Sequence, residues 1–431
     1  MKLQNILGGH ALNDVFVAGG QPSITYVNRA HLGLERALKK ALSQPNIIVS
    51  VTGSTKSGKT VLCRNVLSDR EYIWIDGGEV RAEADLWSKV ITELKAPLEF
   101  KDIERDDTGS NVGGGIEGQA GLLGTGAKFK LTAGGSQLRV SGVESVVKVD
   151  AMKTALDAMT SENITLVIDD FHYIPEQVRA EIIKAVKGSV FRGLPVVLLS
   201  TPHRAFDAIK AESEITGRFK HVAVPEWSEE DLAAIASTGF KALNATCPDK
   251  IVKAFAGESQ GSPLLMQQFC WNACYDSEIE RAEVRLQSVP PTFDTTSVYA
   301  EVARDAGLPT YENLAKGPQT RTDRIQRPLQ NGKSVDIYQA ILLAVAATGP
   351  KEKISYNEIR TSLNEILSDK VPQKLEVSNA LKNLATKDEQ DNRGNRAIDW
   401  DEDKLELVIT DPFFRFYLRW EVAPQARPPG K

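Results

Sequence analysis

Cysteine is scarce in this chain: four thiols in 431 residues are too few to staple a fold with disulfides. Cys270 and Cys274 stand four apart on an apolar helical stretch, but no further Cys or His lies near enough in sequence to complete a metal set. These two, with Cys63 and Cys247, therefore read as buried thiols of a reduced chain. Long apolar runs are missing as well. Nothing reaches the roughly 18 residues that a membrane helix needs, and MKLQNILGGHALND lacks the apolar centre of a signal segment. A cytoplasmic protein with no membrane partner is the expectation. Excess positive charge is also absent. The net charge of −5 argues against a molecule that binds nucleic acid through its whole surface, and leaves only local basic patches open. No internal repeat is visible. With 42% hydrophobic and 25% charged residues, the composition is that of a globular protein whose length exceeds one core, so two or three domains are expected.

The most informative stretch is VSVTGSTKSGKTVLC, residues 49–63. Asn46 to Thr52 is a short apolar run with several β-branched residues, which reads as a buried parallel strand. Gly53-Ser54-Thr55-Lys56-Ser57-Gly58-Lys59-Thr60 then spells G-x-x-x-x-G-K-[ST], and helical spacing resumes from Thr60 through Val61. In that strand–loop–helix setting the glycines let backbone N–H groups turn inward, and the helix start adds partial positive charge. The loop from Gly53 to Val61 is thus a candidate phosphate cradle. Lys59 is expected on the β- and γ-phosphates and the Thr60 hydroxyl on Mg²⁺. Lys56 reads as a solvated loop residue, with a phosphate or partner contact as the other option.

Phosphate binding becomes hydrolysis only with a metal-organising carboxylate and something to position water. Leu166-Val-Ile-Asp169-Asp170 places two acids after four apolar residues, at the end of a second strand. That end of a parallel sheet faces the ligand crevice. Asp169 is expected to hold Mg²⁺ and Asp170 to polarise the attacking water. The alternative is that the pair caps the next helix. Leu194-Pro-Val-Val-Leu-Leu-Ser200 ends beside Thr201, so Ser200 or Thr201 is either a γ-phosphate sensor or a helix N-cap. Arg218, just before another strand, is either an arginine finger acting in cis or from a neighbour, or a surface ion-pair partner.

Strands and helices alternate through the first half, which implies an α/β parallel sheet with helices on both faces. The expected organisation is an N-terminal arm and helix over 1–45 and a nucleotide-binding domain over 46–226. A glycine-rich insertion over 106–143 interrupts that domain. A helical lid and connector follow over 227–330, then a winged-helix domain over 331–424 and a tail over 425–431. Within the insertion, Ala127 to Val140 alternates apolar and polar residues about a Gly-Gly turn, the pattern of a hairpin. The insertion is open to three readings: a solvated loop, an assembly contact, or a surface for nucleic acid or membrane. The last hundred residues read as three helices, a hairpin over Ala397–Thr410 and a closing helix, which is the make-up of a winged helix-turn-helix. Lys382 and Lys387 lie in its recognition-helix slot, but the acids of KDEQDN and DWDED follow, and acid repels phosphate. Arg321, Arg324 and Arg327 form a better basic cluster, as suited to nucleic acid as to a helix packed by salt bridges.

GSTKSGKT, IDDFHYI, GSPLLMQQF and the closing ITDPFFRFYLRW together resemble the STAND/AAA+ class of P-loop ATPases, especially the archaeal-type and origin-recognition-like members and those of bacterial conflict systems. The likeness spans roughly residues 20–421. It implies a parallel P-loop (AAA+/STAND-like) sheet domain, a helical lid and a C-terminal winged helix-turn-helix, with ATP/ADP and Mg²⁺ as cofactors. It assigns Lys59 and Thr60 to triphosphate and metal, Asp169 and Asp170 to the Walker B pair, and Pro263 to the adenine face. Arg29, in Tyr26-Val-Asn-Arg29, stands where that class carries an upstream arginine, although the usual G-R-E spelling is absent. A winged-helix histidine that senses ADP has no counterpart, because all five histidines precede residue 222. The implied function is a slow ATP-hydrolysing switch that forms a homo-oligomer with ATP and regulates a separate effector or sensor protein in defence signalling. One rival is a DNA-binding AAA+ ATPase of transposition-regulator or loader type, touching DNA through the winged helix or the Arg321–Arg327 region. Another is a non-hydrolysing nucleotide-binding scaffold.

Overall fold

The structure, a computed structural model, describes residues 9–94, 130–132, 135–140, 143–145, 151–201, 217–319, 324–391 and 396–426. Five strands build the main sheet: β1 (Ile48–Thr52), β2 (Tyr72–Asp76), β3 (Thr165–Asp169), β4 (Val196–Ser200) and β5 (Phe219–Ala223). They lie in the order β2-β3-β4-β1-β5, and the β2–β3, β3–β4 and β4–β1 pairs are parallel. Burial follows position. Every residue of β1 and β4 is buried, whereas edge strand β2 alternates between buried Ile73 and Ile75 and more open neighbours. The helices that alternate with these strands along the chain are α1 (Leu34–Leu42), α2 (Lys59–Val66), α3 (Glu83–Leu94), α4 (Ala151–Glu162) and α5 (Glu176–Phe191). Leu86, Val90, Met159, Ile182, Ile183 and Val186 close over the apolar strands.

The chain divides into two compact units. One comprises Arg36–Thr52 and Arg64–Val222; the other comprises Met1–Glu35, Gly53–Cys63 and Ala223–Lys431. The second unit is mainly helical: α6 (Glu229–Ala242), α7 (Asp249–Glu258), α8 (Pro263–Asp276), α9 (Thr295–Ala315), α10 (Ile337–Ala347), α11 (Tyr356–Ile366), α12 (Lys374–Asp391) and α13 (Pro412–Tyr417). A three-stranded antiparallel sheet accompanies α10–α12. In it Glu406–Ile409 lies between Lys353–Ser355 and Ile398–Asp401. The hairpin expected over Ala397–Thr410 is there; the third strand, Lys353–Ser355, was not foreseen. It is only three residues long and leads straight into α11, whose capping box joins Ser355 and Glu358.

Aromatic rings weld this unit together. Phe269 lies 5.1 Å from Tyr299 and 5.3 Å from Phe416, and Tyr299 lies 4.7 Å from Trp420. Cys270 and Cys274 are fully buried here, as expected, and burial pushes both thiols upward. Within the stretch expected as helical lid and connector, α9 runs 21 residues with Pro309 inside it. Contacts with α13 override the proline. A Cβ on Gly307 would stand 2.1 Å from the Tyr417 Cβ, so the two helices can meet this closely only over a glycine. After α13 the chain widens into a π turn, Leu418–Val422, and Arg419 and Trp420 both donate to the Glu258 carboxylate, at 3.0 and 2.9 Å.

Residues 106–129 of the expected insertion lie outside the described residues. Beyond them Lys130–Thr132 runs antiparallel to Gly135–Val140, as the Gly-Gly pattern implies, and Val143–Ser145 adds an unforeseen third strand. No helix among the described residues is long and apolar enough to cross a membrane.

Candidate functional site

The glycine loop sits where the sequence puts it, between β1 and α2. Gly58 adopts φ +88°, a conformation that a side chain would strain. A Cβ on Gly53 would meet the Ser57 Oγ at 2.7 Å and the Val224 carbonyl oxygen at 2.8 Å, so this end of the loop also demands glycine. The Lys59 ammonium is buried and donates to the carbonyls of Gly53 and Ser54, both at 2.9 Å. Its charge is thereby held inside the turn. The Ser57 Oγ is buried with no hydrogen-bond partner among the described residues. An orphaned hydroxyl beside a buried ammonium, in a turn too tight for side chains, fits a bound polyphosphate.

Beside the loop is a small cleft with mostly apolar walls, lined by Tyr26, Arg29, Val61, Trp227, Pro263 and Gln267 among others. Arg29 stands in the left-handed region at φ 45° and is buried. Its Nη1 donates to the carbonyls of Pro225 (2.9 Å) and Glu226 (3.3 Å), and its guanidinium lies 4.4 Å from the Trp227 ring centroid. Burial lowers its affinity for the proton. The Trp227 indole in turn donates to the Ser57 carbonyl at 2.8 Å, linking the cavity wall to the loop. Pro263 opens α8, with the Ser262 side chain at the N-cap position. The Tyr26 hydroxyl donates to Glu35 at 2.9 Å. Thus Tyr26, Arg29, Val61 and Pro263, which the sequence reading groups with the loop, line one cavity together with Ser57 and Gly58.

Lys56 departs from its expectation. It is not a solvated residue: its Nζ lies 2.8 Å from both carboxylate oxygens of Asp411 and 4.4 Å from the Phe413 ring centroid. Its backbone is left-handed at φ 61°. An acid distant in sequence folds to within hydrogen-bond reach and partly shields the ammonium from water.

In the sheet unit, the strand ends gather the expected acids. Asp76 and Asp169 are register partners at the ends of β2 and β3. Asp170 follows in the left-handed region at φ 48°, and its amide donates to the Asp169 Oδ1 at 2.9 Å. Its side chain does not cap the short turn that follows, which removes the capping alternative for Asp170. Gly77 explains how the two ends fit: a Cβ there would stand 2.6 Å from the Asp170 carbonyl oxygen and 2.9 Å from that of Asp169. Ser200 is buried and is the register partner of Thr52, the last residue before the loop. The Thr201 Oγ1 is buried without a hydrogen-bond partner among the described residues.

No family model matches the chain, and no curated protein does. Among solved structures it is similar to the Walker-type ATPase PABY2304 of Pyrococcus abyssi, at 14% identity over 92% of this chain and 100% of that one, with a TM-score of 0.53. The chain has a P-loop α/β fold. Looser likenesses are to Cdc6p from Pyrobaculum aerophilum (12% identity, 96% and 99% of the two chains, TM-score 0.44) and to the ORC2 protein of Aeropyrum pernix (16%, 96% and 97%, 0.46).

Other anticipated residues have partners of their own. Arg218 stacks on Phe191 at 3.9 Å. Phe191 closes α5 just before β4 begins, so Arg218 is at the strand-start edge, about 13 Å of strand from Ser200. Arg324 pairs with Asp336 at 2.6 Å and Arg327 with Glu376, while Arg321 lies outside the described residues. Lys382 pairs with Glu402 at 2.6 Å and Lys387 with Asp391 at 2.5 Å. Among the described residues no group of three or more His, Cys, Asp or Glu side chains is arranged for a metal. Thr60 and Asp169, the two expected Mg²⁺ residues, belong to different compact units. Residues missed by sequence reasoning are Gly77, Trp227 and Asp411. Asp411 stood in plain view within ITDPFF, and its spacing to a following Phe-Phe is that of an N-cap.

Proposed function

We propose that the chain is an Mg²⁺-dependent ATPase of the STAND/AAA+ type that works as a nucleotide switch. The observation that carries this reading is the loop itself: a buried Lys59 ammonium and an orphaned Ser57 hydroxyl in a glycine-enforced turn, beside a small apolar cleft. In this reading Lys59 and the loop from Gly53 to Thr60 hold the phosphates. Tyr26, Arg29, Val61 and Pro263 surround the base. Thr60 and Asp169 take Mg²⁺, Asp170 polarises water, and Ser200 or Thr201 senses the γ-phosphate. Arg218 would act from a neighbouring copy. The helices from α6 to α9 serve as the lid, and α10–α12 with their small sheet serve as a winged helix. Switching by assembly with ATP, regulation of a separate effector and a setting in defence signalling are the further parts of the proposal. They rest on the motifs GSTKSGKT, IDDFHYI, GSPLLMQQF and ITDPFFRFYLRW.

The test is equilibrium binding of ATP and ADP by the wild type and by Lys59→Ala, with mass measured in solution with and without nucleotide. The expected result is at least a hundredfold loss of ATP affinity in the variant, equivalent to ~2.7 kcal/mol, and a larger assembly in ATP than in ADP. Equal affinity in the two proteins would sink the nucleotide site. Repeating the mass and turnover measurements with duplex DNA at two salt concentrations separates this reading from a DNA-dependent ATPase, for which a stimulation lost at high salt is diagnostic.

A further inference from the structure

We propose that Asp411 is a positioning residue for the phosphate loop: acting through Lys56, it sets the local charge that a triphosphate meets. The inference rests on the nucleotide-binding reading of that loop and adds to it a residue from the far end of the chain.

Three observations carry it. First, the Lys56 ammonium is 2.8 Å from both Asp411 oxygens, and the side chains are only 25% and 10% exposed, so the pair is partly shielded from water and salt. Second, the carboxylate is itself fixed. The Asp411 Oδ1 accepts from the Phe413 amide at 2.8 Å as the N-cap of α13, and the Phe413 ring lies beneath the same ammonium at 4.4 Å. Third, α13 reaches the surroundings of the loop a second time. Arg415, one turn on, donates to the Gln260 carbonyl and stands 3.7 Å from the Glu226 carboxylate. Glu226 immediately precedes Trp227, whose indole holds the Ser57 carbonyl at 2.8 Å. The same short helix therefore grips both the fourth residue of the loop and the chain that abuts its fifth. Lys56 is held in a left-handed backbone conformation that a lysine does not favour, so the loop's own shape is tied to this grip.

The consequence is electrostatic. With the pair intact, Lys56 and Asp411 sum to zero beside the phosphates. Asp411→Asn leaves +1 there, keeps a good N-cap residue and so preserves α13. Lys56→Ala leaves −1. The double variant returns the sum to zero.

The experiment measures the dissociation constants of Mg-ATP and Mg-ADP, with melting temperatures, for wild type, Asp411→Asn, Lys56→Ala and the double variant in the full chain at two salt concentrations. Asp411→Asn is expected to tighten ATP by about threefold to tenfold, Lys56→Ala to weaken it by a similar factor, and the double variant to return near the wild type. The effects should be larger for ATP than for ADP and shrink as salt rises. A merely structural pair would lower both melting temperatures and weaken binding in both single variants, with no recovery in the double. That pattern, or unchanged affinity in both single variants, overturns the proposal while wild-type binding that depends on Lys59 still stands. If the wild type binds no nucleotide, or Lys59→Ala binds as well as it does, the underlying reading fails and the proposal with it.

Discussion

Two strand ends carry the candidate chemistry, and they are held in opposite ways. At the end of β1, the loop from Gly53 to Thr60 gathers cations and is braced from far along the chain, by Trp227 and by Asp411, which is 355 residues from Lys56. At the ends of β2 and β3, the acids Asp76, Asp169 and Asp170 are brought together by strand register, and Gly77 leaves room for the Asp169 and Asp170 carbonyls beside the β2 end. The loop is thus shaped by side chains from distant segments, the acid ends by backbone register and close backbone approach. A switch needs both, a fixed chemical group and a binding loop whose state other parts of the chain feel.

The largest expected effect that sharpens this contrast is on the acidic side. On the proposed reading, in which Asp170 polarises water, Asp170→Asn should slow ATP turnover by about a hundredfold or more while leaving ATP affinity within a few fold. Steady-state turnover and equilibrium binding of the same preparation check it, and a parallel loss of affinity would break the division of labour. A middle-sized effect concerns the glycine. Gly77→Ala should cost about 1–3 kcal/mol, since its methyl group enters the space of two carbonyl oxygens. A urea midpoint unchanged from the wild type would show that the acidic end is softer than the register suggests. The smallest effect calibrates what a purely local device is worth. Hydrogen bonds from Lys351 and from Ser355 hold the Glu358 carboxyl down to about 2. Because the folded value lies below the unfolded one of about 4.3, the contribution is present above that value and fades as the pH falls towards 2. The group is largely exposed, so solvent screening keeps Glu358→Gln to under about 1 kcal/mol. Urea midpoints at pH 7 and pH 3 should show the difference between the two proteins narrowing at the lower pH.

These contrasts also set what could be read from the sequence. Contiguous features were legible. GSTKSGKT, the LVIDD strand end, the order of the strands along the chain and the hairpin near residue 400 all depend on neighbours within a few residues, where backbone preference and apolar spacing act directly. Lys56 was misjudged because its partner lies in another stretch altogether, and no local pattern announces such a pair. Trp227 escaped for the same reason. The 227–330 stretch was expected as a helical lid and connector, but the extent of α9 within it was not legible: Pro309 disfavours a helix locally, while the contact of Gly307 with Tyr417 is a tertiary one. Arg218 had the right place in the chain but stands at the strand-start edge of the sheet, a fact fixed by the ring of Phe191.

The π turn at Leu418–Val422 carries one residue more per turn than its neighbours, a local surplus in the winding. Removing that one residue would restore ordinary winding and leave the chain beyond in phase, redirecting only the side chains within the turn. Arg419 and Trp420, which lie in it, would then no longer both reach Glu258. The surplus residue therefore serves this pair of hydrogen bonds and not the direction of the chain that follows.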